Sequence, residues 1–293
     1  MQGLIEFIEI SLTGLGMGGL YALTGVAFVL IYKATRVINL AIGEMLMVGA
    51  YLFFGLAAGL ALPWWLAILF ALAGGGLLGL LLERAVIRPM LGENPISVFM
   101  VTIGLGSILV GLVELIWTAD PRRLPQFLPD EPIFLGPVFV FPEPFWSFVI
   151  AAAVIGVFVL LFRYWRGGVA LRATALDQGA AYAMGINVPR VYALAWMLAG
   201  MIAAGAGMLL GSIAGLSPAL ALFGLTVLVV VIVGGLDSVP GVLLAGILIG
   251  WIESLAGSYL GGEYEHLVTF ALLLVVLLVR PWGLFGTPEV ERL

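Results

Sequence analysis

Seven apolar runs, at 10–32, 40–62, 64–82, 95–117, 146–162, 191–213 and 239–258, restrict this chain more than any other feature. A helix crossing a hydrocarbon core of about 30 Å needs roughly 17–25 predominantly apolar residues. Inside lipid every backbone N–H and C=O must be paired, which leaves helices and closed barrels as spanning structures. Two shorter runs, 219–234 and 267–280, suit tilted, protein-covered or re-entrant segments. Charged residues make up only 10% of the chain, where a soluble domain carries about 25%. The expected fold class is all-α. The chain reads as a polytopic integral membrane protein of about eight or nine transmembrane helices, with possible re-entrant segments, in one domain over 1–293.

The residues available for chemistry are few. With no cysteine and a single histidine, His266, thiolate metal sites, disulfides, cysteine nucleophiles and the HExxH zinc motif are excluded. The single lysine, Lys33, lies in Ile31-Tyr32-Lys33-Ala34, so the chain has no Walker A loop of its own. No GxSxG elbow surrounds Ser254 or Ser258. Asp237 lacks a partner aspartate on another span, which disfavours intramembrane aspartyl chemistry. A net charge of −5 argues against nucleic acid. No enzyme activity, cofactor or metal is expected. Glu6 and Glu9 stand where a secretory signal would carry positive charge, so no cleaved signal peptide is expected.

Basic residues set orientation, because positive charge near span ends stays cytoplasmic. Lys33 with Arg36, Arg84 with Arg88, the group Arg163, Arg166, Arg172 and Arg190, and Arg280 with Arg292 fall on one side. They do so if the chain crosses nine times with its N-terminus outside. Loop 118–145 is then outer; it holds Arg122 and Arg123 but also Asp120, Asp130, Glu131 and Glu143, so it is net acidic, and it carries seven of the 15 prolines. Proline fixes φ and removes a donor, so this loop is expected to be extended and non-helical. Loop 163–190 is inner, and its residues 171–184 are mostly helix formers ended by Gly185 and Pro189. A short cytoplasmic helix is expected there.

Glycines repeat every fourth residue at Gly14/Gly18, Gly75/Gly79, Gly207/Gly211/Gly215 and Gly246/Gly250. That spacing clears one helix face for close packing, or lines a narrow path. No internal repeat is apparent in the residues, although inverted repeats are common in transporters. Intramembrane charge is costly and points to function by default. Asn39 and Glu44 stand at the start of the second span, where they could cap the helix or face a translocation path. Asp237, in Gly234-Gly235-Leu236-Asp237-Ser238-Val239-Pro240-Gly241, marks a tight inner turn or a gate. Glu114 is three residues from the outer end of its span and reads as structural, and Glu253 is expected near the outer interface.

Three blocks carry a resemblance. The first runs from Gly19-Leu20-Tyr21-Ala22-Leu23 through Asn39-Leu40-Ala41-Ile42-Gly43-Glu44-Met45. The second is Glu83-Arg84-Ala85-Val86-Ile87-Arg88-Pro89, followed by Thr102-Ile103-Gly104-Leu105. The third is Ala170-Leu171-Arg172-Ala173-Thr174-Ala175, then Met184-Gly185-Ile186-Asn187-Val188-Pro189-Arg190. In this order they resemble the LivH family, permease subunits of branched-chain amino acid ABC importers. Ile42 stands where that family often carries histidine or glutamine, and Gly179 stands at the glutamate position of the EAA motif.

The resemblance implies a permease of the bacterial inner membrane that pairs with a second homologous permease subunit. Two cytoplasmic ATPase subunits and an extracytoplasmic substrate-binding protein complete such a system. Asp177, Gly179, Ala180, Ala181 and Gly185 would then couple to an ATPase, with Asn39, Glu44 and Asp237 along the translocation path. Leucine, isoleucine and valine fit an apolar route. Urea, short amides and other neutral amino acids fit it as well, and an ion-coupled secondary transporter is the reading from another class.

Overall fold

The structure, a computed structural model, describes residues 2–287. Its described residues hold seven helices long and apolar enough to cross a membrane. They are α1 (Gln2–Thr35), α2 (Ile42–Phe54, extended to Gly59 by a π turn), α3 (Trp64–Leu82), α4 (Pro95–Trp117), α5 (Pro142–Tyr164), α8 (Val188–Ala214) and α10 (Val239–Tyr259). Two shorter apolar helices, α9 (Phe223–Gly234) and α11 (Tyr264–Val279), complete the bundle. The protein is thus an all-α multi-pass membrane protein.

Helix starts follow local chemistry. The Asn94 side chain accepts the Ile96 N–H at 2.9 Å, and Pro95 occupies the first turn of α4, where a missing donor does no harm. Pro142 and Pro189 likewise occupy the first turns of α5 and α8. At 34 residues, α1 is about 50 Å long, longer than a bilayer core is thick. Its first turns extend outward, where Glu9 accepts the Phe139 N–H at 2.7 Å. Phe139 lies in a hairpin, β1 (Ile133–Leu135) with β2 (Val138–Val140), in the proline-rich outer loop. Arg122 and Leu216 exchange backbone hydrogen bonds at the same end.

At the other end, Arg36 donates to the Ala175 carbonyl at 3.4 Å and Arg88 to the Pro189 carbonyl at 3.1 Å. The loops that carry Arg36, Arg88, Arg172 and Arg190 therefore gather on one face of the bundle, which the positive-inside rule makes cytoplasmic.

Glycine spacing builds the core. Gly14 and Gly18 of α1 meet Gly246 and Gly250 of α10; a Cβ added at Gly18 would stand 2.8 Å from the Ile247 Cα. Gly75 and Gly79 of α3 meet Trp196, Gly200 and Ala204 of α8 in the same manner. Helix packing, rather than a pore, accounts for these two pairs of glycine-bearing faces. Gly211 is looser, with the Leu124 side chain 3.4 Å from an added Cβ.

An inverted repeat, which the residues alone did not reveal, follows from these contacts. Central helix α1 packs on α10, breaks at 36–41 and resumes as α2. Central helix α8 packs on α3, breaks at 215–222, where only a 3-10 turn at Pro218–Leu222 forms, and resumes as α9. The two series α1–α2–α3 and α8–α9–α10 thus repeat one pattern with opposite sense across the membrane. What repeats is the small residues and the breaks, not side-chain identity.

Candidate functional site

The two restarted helices meet inside the bundle. A Cβ at Gly224, on the first turn of α9, would stand 2.7 Å from the Gly43 Cα on the first turn of α2. Glu44 follows directly, and its carboxylate lies against Gly106, the midpoint residue of α4: a Cβ there would stand 2.8 Å from Oε1. Glu44 is therefore at mid-membrane depth, half-buried, with Oε2 unpaired among the described residues.

Asn39 does not cap α2 as expected. The helix begins at Ile42, with Ala41 in the cap position and no side-chain cap. Asn39 sits two residues before that cap, fully buried, and its Oδ1 accepts the Ala41 N–H at 3.1 Å while its amide donates to the Met45 sulfur. The Leu40 N–H donates to the Thr102 hydroxyl of α4 at 3.3 Å. These contacts satisfy an unwound strand of backbone at a depth where water cannot. Asn39 and Glu44 share this break. Asp237 does not: it lies at the cytoplasmic end, where Oδ1 accepts the Thr287 N–H at 3.2 Å and Oδ2 accepts the Thr287 hydroxyl.

The inner loop corrects a second expectation. Instead of one helix over 171–184 there are two, α6 (Arg166–Leu176) and α7 (Gln178–Ala183). Asp177 is extended between them, and its carboxylate accepts the Ala180 N–H at 2.9 Å, capping α7. At the other end Gly185 has φ +84°. The Gly185 N–H bonds the Tyr182 carbonyl and the Ile186 N–H bonds the Ala181 carbonyl, the paired pattern of a glycine-terminated helix. Gly179 and Ala180 are exposed, whereas Ala181 is buried against the chain's own helices. The large side chains offered outward are Leu176, Tyr182 and Met184, at 88%, 72% and 83% exposure. Arg172 fixes the base of this loop, donating to the Phe162 carbonyl and, at 3.1 Å, to that of Arg163.

Glu253 stands six residues before the outer end of α10 and is buried there. The Tyr21 hydroxyl donates to one of its oxygens and the Thr269 hydroxyl to the other, each at 2.5 Å. Tyr21 in turn stacks on Phe223, the first residue of α9, with ring centroids 4.7 Å apart. The buried carboxylate thereby ties α1, α10 and α11 to the second half-helix. Sequence gave no signal for this, because Tyr21 and Glu253 are 232 positions apart. At the inner end of α3, Glu83 is fully buried and receives both Nε and Nη2 of Arg88, at 3.0 and 2.8 Å.

Residues 10–277 match the family described as branched-chain amino acid transport system / permease component. The high-affinity branched-chain amino acid transport system permease protein LivH of Salmonella typhimurium is 31% identical over 98% of both chains. BraD, the corresponding permease protein of Pseudomonas aeruginosa, is 30% identical over 100% of both. A probable LivH of Methanocaldococcus jannaschii is 28% identical over 91% of this chain and 89% of its own.

Proposed function

This chain belongs to the branched-chain amino acid transport permease family, and from that premise we propose that it carries leucine, isoleucine and valine inward as one permease subunit of an ABC importer. It is a multi-pass protein of the bacterial inner membrane. The observation that carries the proposal is the end-to-end similarity to LivH and BraD, at 98–100% coverage of every chain involved. In this reading residues 1–293 form a single permease domain, a second homologous permease pairs with it, and an extracytoplasmic binding protein delivers substrate. ATP is hydrolysed by two separate cytoplasmic ATPase subunits, and the chain itself catalyses no reaction.

The path follows the two breaks. Asn39 and Glu44 border it at mid-membrane depth, where irregular backbone and half-helix starts can bind polar substrate groups. Asp237 stands at its cytoplasmic mouth. Coupling runs through α6 and α7. Gly179 and Ala180 leave room for an ATPase surface, with Leu176, Tyr182 and Met184 as apolar contacts, while Asp177, Ala181 and Gly185 hold the shape of that helix pair. Closure of the ATPases would push on α6, and the Arg36 contact to Ala175 passes the push to the break at 36–41.

The test is co-purification from the native membrane, followed by reconstitution with whatever accompanies the chain. ATP-dependent uptake of radiolabelled leucine, competed by isoleucine and valine, is the expected result. Preferential uptake of urea, a short amide or another neutral amino acid would move the substrate elsewhere. Transport on an ion gradient without an ATPase would overturn the ABC mechanism.

A further inference from the structure

We propose that the cleft between the inner ends of α1, α6 and α10 is a cytoplasmic binding site for a free zwitterionic amino acid with an apolar side chain. Such a molecule is what the importer would release there, so the inference rests on the amino-acid reading above and adds regulation by product. The cavity is about 520 Å³, and its lining brings Lys33, Arg36 and Arg172 together with Asp237.

Charges of both signs line this space without closing on each other. Among the described residues the Arg88–Glu83 pair is the only salt bridge, so neither Lys33 nor Arg36 reaches Asp237 directly. The ammonium of Lys33 forms no hydrogen bond among the described residues, although the residue is half-buried. Arg172 is committed to the Phe162 and Arg163 carbonyls. Arg36 makes one long contact to Ala175 and lies over the Tyr32 ring at 5.7 Å. Asp237 is oriented by Thr287, and each carboxylate oxygen keeps a lone pair for a further donor.

Separated opposite charges facing one cavity are the complement of a zwitterion. A carboxylate would sit against Lys33 and Arg36, and an ammonium against Asp237. Phe162, Val239 and Phe285 also line the cavity and give an aliphatic side chain an apolar wall. A simple anion is a poorer match, because Asp237 repels it. An uncharged apolar molecule would desolvate the charges without pairing them.

The backbone connects this site to transport. Arg36 has φ +57°, a conformation that non-glycine residues adopt at a cost. It is also the first residue of the break that leads to Asn39 and Glu44. A ligand held by Arg36 therefore bears on the hinge of α2, and occupancy of the cleft slows the return to the outward-open state.

The experiment uses the complete transporter in lipid nanodiscs without its binding protein, titrated calorimetrically with leucine. Saturable binding is expected, weakened at least tenfold by Lys33→Gln and by Asp237→Asn. 4-Methylpentanoate, which lacks the ammonium, and 3-methylbutylamine, which lacks the carboxylate, should each bind at least tenfold more weakly than leucine. Arg36→Gln serves in place of Lys33→Gln if that variant fails to assemble by gel filtration. Absence of binding, binding that none of these substitutions weakens, or displacement of leucine by inorganic phosphate would each overturn the site. Uptake of leucine by the same transporter, with its binding protein present, judges the substrate reading separately: failed uptake with intact cleft binding would sink that reading alone.

Discussion

Gly43 and Gly224, each on the first turn of a half-helix, press backbone against backbone: a Cβ at Gly43 would stand 2.8 Å from the Gly224 nitrogen. No flexible side chain is available to yield there. Gly224→Leu is therefore expected to abolish recovery of folded protein, because α2 and α9 cannot separate without exposing unpaired backbone to lipid. Gly104, with nothing within 4 Å of an added Cβ, is the control; Gly104→Ala should stay within about 0.5 kcal/mol of the parent. Gel-filtration yield in mild detergent reads both.

A second prediction concerns Arg88, which lies beyond the end of α3 and reaches back to a fully buried Glu83. Removing the cation leaves an uncompensated buried carboxylate, and breaking a buried pair from one side costs about 3–5 kcal/mol. Arg88→Gln should lower the thermal midpoint sharply. The double variant Glu83→Gln/Arg88→Gln should recover a large part of that loss, since two neutral amides can bond each other. A double variant no more stable than Arg88→Gln alone would show that the Pro189 contact, rather than Glu83, is what Arg88 supplies.

Tyr21→Phe tests the buried carboxylate on α10. The ring and its stacking on Phe223 remain, and only the hydroxyl donated to Glu253 is lost. A buried acceptor left short of a donor costs about 1–3 kcal/mol, so a clear drop in thermal stability is expected. Thr269→Val, which removes the other donor, should act in the same direction. If neither variant changes the melting temperature, Glu253 has other partners and does not fasten α11 to the core.

What the sequence disclosed and what it hid differ in kind. Spans 64–82 and 95–117 begin and end in the structure where the residues imply, because Pro63, Asn94 and Pro95 mark their starts locally. The break at 36–41 was not legible to its last residue: Leu40 and Ala41 are apolar and read as helix. They stay unwound because Thr102 of α4 and the Asn39 side chain satisfy their donors. Asp177 did carry a signal, since aspartate favours the cap position over the helix interior, but flanking alanines and leucine masked it. The Tyr21–Glu253–Thr269 cluster carried none, as it exists only once α1, α10 and α11 pack.

The inner loop yields the last prediction, because two adjacent alanines there should behave differently. Ala180 is exposed on α7 and Ala181 is buried beneath it. Ala180→Trp adds bulk only on the outward face, so the chain should fold normally and keep its partner permease while ATP-driven uptake collapses. Ala181→Trp drives an indole into the packing of the chain itself, and overpacking of this size typically costs about 1–3 kcal/mol. It should lower the thermal midpoint of the isolated permease before any ATPase is added. Measuring melting temperature, ATPase retention on an affinity column and uptake for both variants separates docking from folding. Full uptake by the Ala180→Trp transporter would remove α7 from the coupling surface, and the exposed Leu176, Tyr182 and Met184 would then need a different partner.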